Sequence, residues 1–170
     1  FGKSLLLSTF EAYFEGKKEL FKGLAIEQLE QEWKKYPVLH LDLNAEKYDS
    51  PERLDDILSR QLTQWELRYD KGPDENTLAG RFSGIIRRAS QQAGCGVVVL
   101  VDEYDKPLLQ ALGNDDLMEE YRKTLKAFYG VLKSADRYLR FAFLTGVTKF
   151  SQVSVFSDLN NLDDISMRNA

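Results

Sequence analysis

A chain of 170 residues, 43% hydrophobic and 29% charged, has the length and balance of one domain with a single sizeable core. Its net charge of −4 argues against a surface held to nucleic acid mainly by phosphate neutralisation, although a local basic stripe can hide beneath that average. One cysteine, Cys95, excludes an internal disulfide and makes a reducing, cytoplasmic setting the expectation, and the longest apolar run, Val97–Val101, is far too short to span a bilayer.

The opening Phe1-Gly-Lys-Ser-Leu-Leu-Leu-Ser lacks both the apolar length and the cleavage site of a secretion signal. Residues 4–15 read as a helix, with Leu6, Leu7, Phe10, Tyr13 and Phe14 at three- and four-residue spacing. A second helix is predicted around 25–35 with Ile26, Leu29 and Trp33, followed by a strand over Pro37–Leu43. Ser50-Pro51 supplies a capping hydroxyl and a first-turn proline for a helix striped by Leu54, Ile57, Leu58, Leu62, Trp65 and Tyr69. The turn Lys71-Gly-Pro-Asp74 ends it and is expected to cap the next helix, striped by Leu78, Phe82, Ile85, Ile86 and Ala89. Gly94 and Gly96 bracket the passage into a Val97–Val101 strand. A helix over 115–134 carries Met118, Tyr121, Leu125, Phe128 and Leu132, and Tyr138–Gly146 is a third strand. The tail from 147 reads as loops with one short helix near 160–166.

Strands that are continuously apolar and alternate with helices predict an α/β fold, a mostly parallel sheet covered on both faces in three layers. Ligands in such sheets bind beyond the carboxyl ends of the strands. There the chain places Asp102-Glu103 after Val97–Val101. A buried apolar strand ending in Asp-Glu is the Walker B pattern, in which the first acid holds Mg²⁺ and the second orients and deprotonates a water. Alone, it reads equally well as a buried strand that ends in solvated acids. The balance changes with Phe1-Gly2-Lys3-Ser4, which runs directly into a helix roughly 100 residues earlier, as the second half of G-x-x-x-x-G-K-[ST] does. In that pattern Lys3 reaches the β- and γ-phosphates, Ser4 ligates Mg²⁺, and the backbone at Gly2 and the helix start cradles the anion. Thr145, at the end of the third strand, is a candidate γ-phosphate sensor or simply a strand-end threonine before a turn glycine.

The remaining candidates carry less. His40 reads as a core histidine with a local partner, Cys95 as structural, and Asp42 as part of a strand-ending turn. Tyr104, Asp105 and Lys106 are placed to position the acids or touch nucleotide, with Pro107 ending that stretch. Arg81, Arg87 and Arg88 read as a solvated helix face.

Beyond these motifs, Tyr13-Phe-Glu-Gly-Lys-Lys-Glu-Leu-Phe, Val101-Asp-Glu-Tyr-Asp-Lys-Pro, Leu144-Thr-Gly-Val-Thr-Lys-Phe-Ser and Val155-Phe-Ser-Asp-Leu-Asn-Asn-Leu together give a chain that resembles the prokaryotic AAA-ATPase-like family. The resemblance implies a P-loop NTPase domain over residues 1–170 that uses ATP and Mg²⁺. It carries phosphate binding to Gly2, Lys3 and Ser4, metal binding to Ser4 and Asp102, and catalysis to Glu103, Lys3 and Thr145. It also implies an atypical P-loop without the first glycine, and a C-terminal nuclease-like domain outside this chain. It leaves oligomerisation and nucleic-acid contact open. The P-loop strand is expected upstream of Gly2, so the protein should extend by about ten residues or more there, a strand and a turn, and downstream into another domain.

Overall fold

The middle of the molecule is a strand buried on both faces. A computed structural model describes residues 2–44 and 46–165, apart from the side chains of residues 149, 150, 152 and 153. Its sheet consists of β1 (Val38–Asp42), β2 (Val97–Asp102) and β3 (Leu139–Leu144), ordered β1-β2-β3 and parallel throughout. All six residues of β2 are buried, as the unbroken Val-Val-Val-Leu-Val run requires. Side chains alternate across it. Val98 and Leu100 face a small cluster with Leu7 and Phe14, whereas Val97, Val99 and Val101 enter a much larger core. Burying each such aliphatic side chain contributes roughly 1.5–3 kcal/mol relative to exposure.

One layer is formed by α1 (Lys3–Phe14). The opposite layer contains α3 (Pro51–Tyr69), α4 (Leu78–Ala93) and α6 (Asp115–Ser134), and α6 alone buries seven side chains, including Tyr121, Phe128 and Tyr129. The rings of Phe82 and Phe128 stack with centroids 4.4 Å apart and join α4 to α6. The fold is thus α/β, with a parallel sheet flanked by helices on both faces, as the alternation of elements predicts.

Several local expectations are corrected. Within α1, Leu7 and Phe14 are buried, but Leu6 stays exposed. The helix expected over 25–35 is only α2 (Ala25–Leu29), preceded by a 3₁₀ turn at Lys18–Phe21; Trp33 has φ 47, which no helix accommodates. Ser50 occupies the N-cap of α3, yet its side chain makes no capping bond. The cap of α4 is Thr77, whose side chain accepts from the Gly80 N–H, so the turn at 71–74 does not supply it. The stretch expected to end at Pro107 runs on instead into a short helix, α5 (Lys106–Gln110), whose first turn accommodates the proline. Residues 160–165 form no helix, and position 166 lies outside the described residues. The helix of this region is α7 (Lys149–Phe156), capped by Thr148 accepting from Ser151 N–H.

The arginines of α4 are not a uniform solvated face either. Arg81 pairs with Glu66 at 2.5 Å, and Arg88 holds Glu75 through both terminal nitrogens at 2.5 and 2.8 Å, while Arg87 stays half exposed. Glu75 lies so close to α4 that a Cβ on Gly84 would sit 2.2 Å from its carboxylate oxygen.

Candidate functional site

Because the strands run parallel, Asp102 and Thr145 arrive at the same sheet edge from neighbouring strands. The register brings Asp42 opposite Asp102, but Asp42 turns aside and accepts from Asn44 N–H at 2.8 Å, which makes it the expected strand-ending turn. The turn after β2 is fixed to the end of β3 by reciprocal backbone bonds. Thr145 N–H donates to Val101 O at 2.9 Å, and Tyr104 N–H donates to Thr145 O at 2.8 Å.

Asp102, nearly buried at 4% exposure, is held from two sides. Its Oδ1 accepts from Thr145 Oγ1 at 2.8 Å and its Oδ2 from Ser4 Oγ at 2.7 Å. A hydroxyl from the start of α1, a carboxylate from β2 and a hydroxyl from β3 therefore form one hydrogen-bonded row. Glu103 follows with φ 56, a left-handed conformation uncommon outside glycine, and its N–H donates to Thr145 Oγ1 at 3.3 Å. This backbone sends its side chain toward α1, where Oε1 lies 3.2 Å from Lys3 Nζ. Lys3 also donates to Gly146 O at 3.0 Å, and its side chain retains 37% exposure. Residues 3, 4, 102, 103 and 145, spread over most of the chain, are thus brought together.

At the start of α1, Gly2 is the N-cap with φ 76, and no side chain caps the helix or places an acid in its first turn. The first backbone N–H groups of α1 are therefore not capped by a side chain, and the carboxylates near the helix start are those of Asp102 and Glu103, on Ser4 and Lys3. Gly146 must lack a side chain, since a Cβ there would lie 2.1 Å from a Tyr104 ring carbon. Burial pushes the Tyr104 phenol up, so it stays protonated and donates to Thr148 O at 3.3 Å. Burial also raises Tyr129, whose hydroxyl donates to Tyr104 O at 3.1 Å from beneath.

The donor set suits nucleotide and magnesium. Among the described residues no cluster of three or more His, Cys, Asp or Glu side chains could hold a metal by itself. One hydroxyl and one carboxylate 2.7 Å apart match a hard cation that takes its other ligands from phosphate and water. Lys3 and the uncapped helix start match the phosphates. The remaining candidates fall outside this edge. His40 Nδ1 lies 2.9 Å from Glu11 Oε2, a local partner as expected, and Cys95 is free and half-buried. A cleft of about 180 Å³ lined by Tyr13, Trp33, Tyr36 and Arg140 adjoins the opposite ends of the strands and includes none of the site residues. Sequence reasoning left open the part played by Asp105; the spacing of Asp105 from Asp102 signalled only proximity.

These features define a three-layer α/β protein whose strand ends assemble Lys, Ser, Asp, Glu and Thr at a helix N-terminus, an arrangement compatible with a P-loop-like fold. The chain matches the family described as "Predicted AAA-ATPase" over residues 1–156, and it belongs to that family. It is also similar to an "Uncharacterized protein in vnfD 5'region" of Azotobacter chroococcum mcd 1, 40% identical over 167 residues, which cover 98% of this chain and 32% of the relative. The chain therefore spans about a third of that relative's length. No solved structure matches it. Among the described residues no helix is long and apolar enough to cross a membrane.

Proposed function

We propose that residues 1–170 form part of a P-loop domain that binds Mg-ATP and hydrolyses it, and that the row Ser4–Asp102–Thr145 with the Lys3–Glu103 pair is its catalytic edge. The observation that carries this reading is Asp102 shared between Ser4 Oγ and Thr145 Oγ1 at 2.7 and 2.8 Å, with Glu103 next to it. Ser4 and Asp102 hold the magnesium ion, which when bound neutralises phosphate charge. Gly2 and the helix start bind the phosphates, and Lys3 counters the charge of the β- and γ-oxygens. Glu103 orients a water and takes its proton as the water oxygen bonds to the γ-phosphorus and the bond to the ADP oxygen breaks. Thr145, fixed to both Asp102 and the Glu103 N–H, reports the γ-phosphate to the turn that carries the base.

A magnesium-dependent phosphate-release assay on the full-length protein tests the reading, with Glu103→Gln alongside. Turnover in the wild type that the substitution leaves intact would remove Glu103 from this role. One observation favours a second reading, a nucleotide-binding regulatory or assembly module with little turnover: the same Glu103 carboxylate is engaged by Lys3. Tight ATP binding without phosphate release, with partners present, selects it. That a nuclease-like domain accompanies this one rests on the family resemblance, and a cytoplasmic location rests on the single cysteine, Cys95.

A further inference from the structure

Asp105 is completely buried, and hydrolysis as described above does not use it. Its Oδ2 accepts the N–H of Val147 and the N–H of Thr148, both at 2.9 Å, and the Thr148 hydroxyl lies 3.4 Å away. Its Oδ1 has no hydrogen-bond partner. Burying a carboxylate with one oxygen unsatisfied is costly, and an apolar side chain of the same shape would serve the core better. What it does is set position. The bonded amides lie immediately after Thr145 and Gly146, whose Oγ1 and O contact Asp102 and Lys3.

We propose that Asp105 is a positioning residue. Its carboxylate pins the 145–148 loop onto the turn after β2 and thereby sets Thr145 Oγ1 against Asp102 and Gly146 O against Lys3. This rests on the ATPase reading of the same edge. The backbone pair between residue 104 and residue 145 fixes only the near end of the loop. Asp105 fixes the far end, and the Tyr104 hydroxyl on Thr148 O assists it. Thr148 then caps α7, so the same contact ties the loop to that helix.

The test measures ATP turnover and amide hydrogen exchange in the full-length protein. Two charge-assisted bonds are at stake, so Asp105→Ala should lower kcat by about 10- to 100-fold while KM for ATP moves less than about threefold. Exchange at Val147 and Thr148 should accelerate by a comparable factor. Asp105→Asn, which keeps an oxygen at the same reach, should retain about a third or more of kcat. Asp105→Val, apolar and close in shape, gives the same readings as Asp105→Ala should that variant fail to fold. Adding Asp105→Ala to Thr145→Ala should cost less than about threefold more, because one acts through the other. Unchanged kcat, a multiplicative loss in the double variant, an Asn variant as impaired as Ala, or unchanged exchange would each overturn the proposal. A wild type without turnover is a separate result that removes the ATPase reading itself.

Discussion

The two faces of the sheet are built to different standards. Behind β2, α3, α4 and α6 enclose a continuous core that includes Leu58, Phe82, Tyr121 and Phe128. In front, the fully buried cluster among the described residues is Leu7, Phe14, Val98 and Leu100, with partly buried Phe10, Tyr13 and Phe143 against it, and α1 leaves Leu5 and Leu6 exposed. Lys3 and Ser4, proposed to meet the phosphates and the metal, sit on that lightly packed helix, whereas Asp102 and Glu103 are anchored through β2 to the heavily packed side. Within the described residues, most of the buried core thus lies on one face of the sheet, while the helix on the other face carries Lys3 and Ser4 to the edge.

The comparison can be tested in descending order of effect. Glu103→Gln should lower ATP turnover by about 100- to 10,000-fold while leaving the urea midpoint nearly unchanged, since the side chain contributes chemistry rather than core. A large loss of stability instead would show that the edge is structural. Phe128→Ala should cost about 3–5 kcal/mol in urea unfolding, because it removes the stack on Phe82 from the larger core. Leu7→Ala, equally buried but in the thin layer, should cost only about 2–3 kcal/mol, near the low end for such truncations. It should also weaken ATP binding, measured by titration calorimetry, by loosening the helix that carries Lys3 and Ser4. Equal costs at the two positions would erase the contrast.

The smallest effect concerns the thick side's ion pair. The Arg88 guanidinium beside Glu75 holds its carboxyl below the ordinary glutamate value. A carboxyl lowered in the folded state contributes stability above its unfolded value, and this is lost as pH falls through the folded one. The stability gap between wild type and Glu75→Gln, followed by urea unfolding, should therefore stay constant from neutral pH down to about 5 and close below about 4.5.

Much of this was legible in the sequence because its signals are local. The 115–134 helix and the strand ending at Asp102 follow from periodicity and from an unbroken apolar run, and Lys3, Ser4 and Asp102 from motif spacing. The signals that misled depend on partners elsewhere in the chain. Arg81 and Arg88 looked solvated because their carboxylates lie 15 and 13 residues away, on another helix and in a loop. Trp33 looked helical until its φ of 47 broke the pattern. The bonds from Asp105 to Val147 and Thr148 cross more than 40 positions, and no spacing rule reaches that far.

Glu103 has a consequence for redesign. Its left-handed backbone is one that glycine or asparagine adopts more readily, so a procedure that optimises stability alone would favour replacing it. Such a variant would fold at least comparably and would lack the group proposed to activate water. At this position the chain keeps a residue that its local geometry disfavours, so that thermal robustness and activity would have to be screened separately in any engineered descendant.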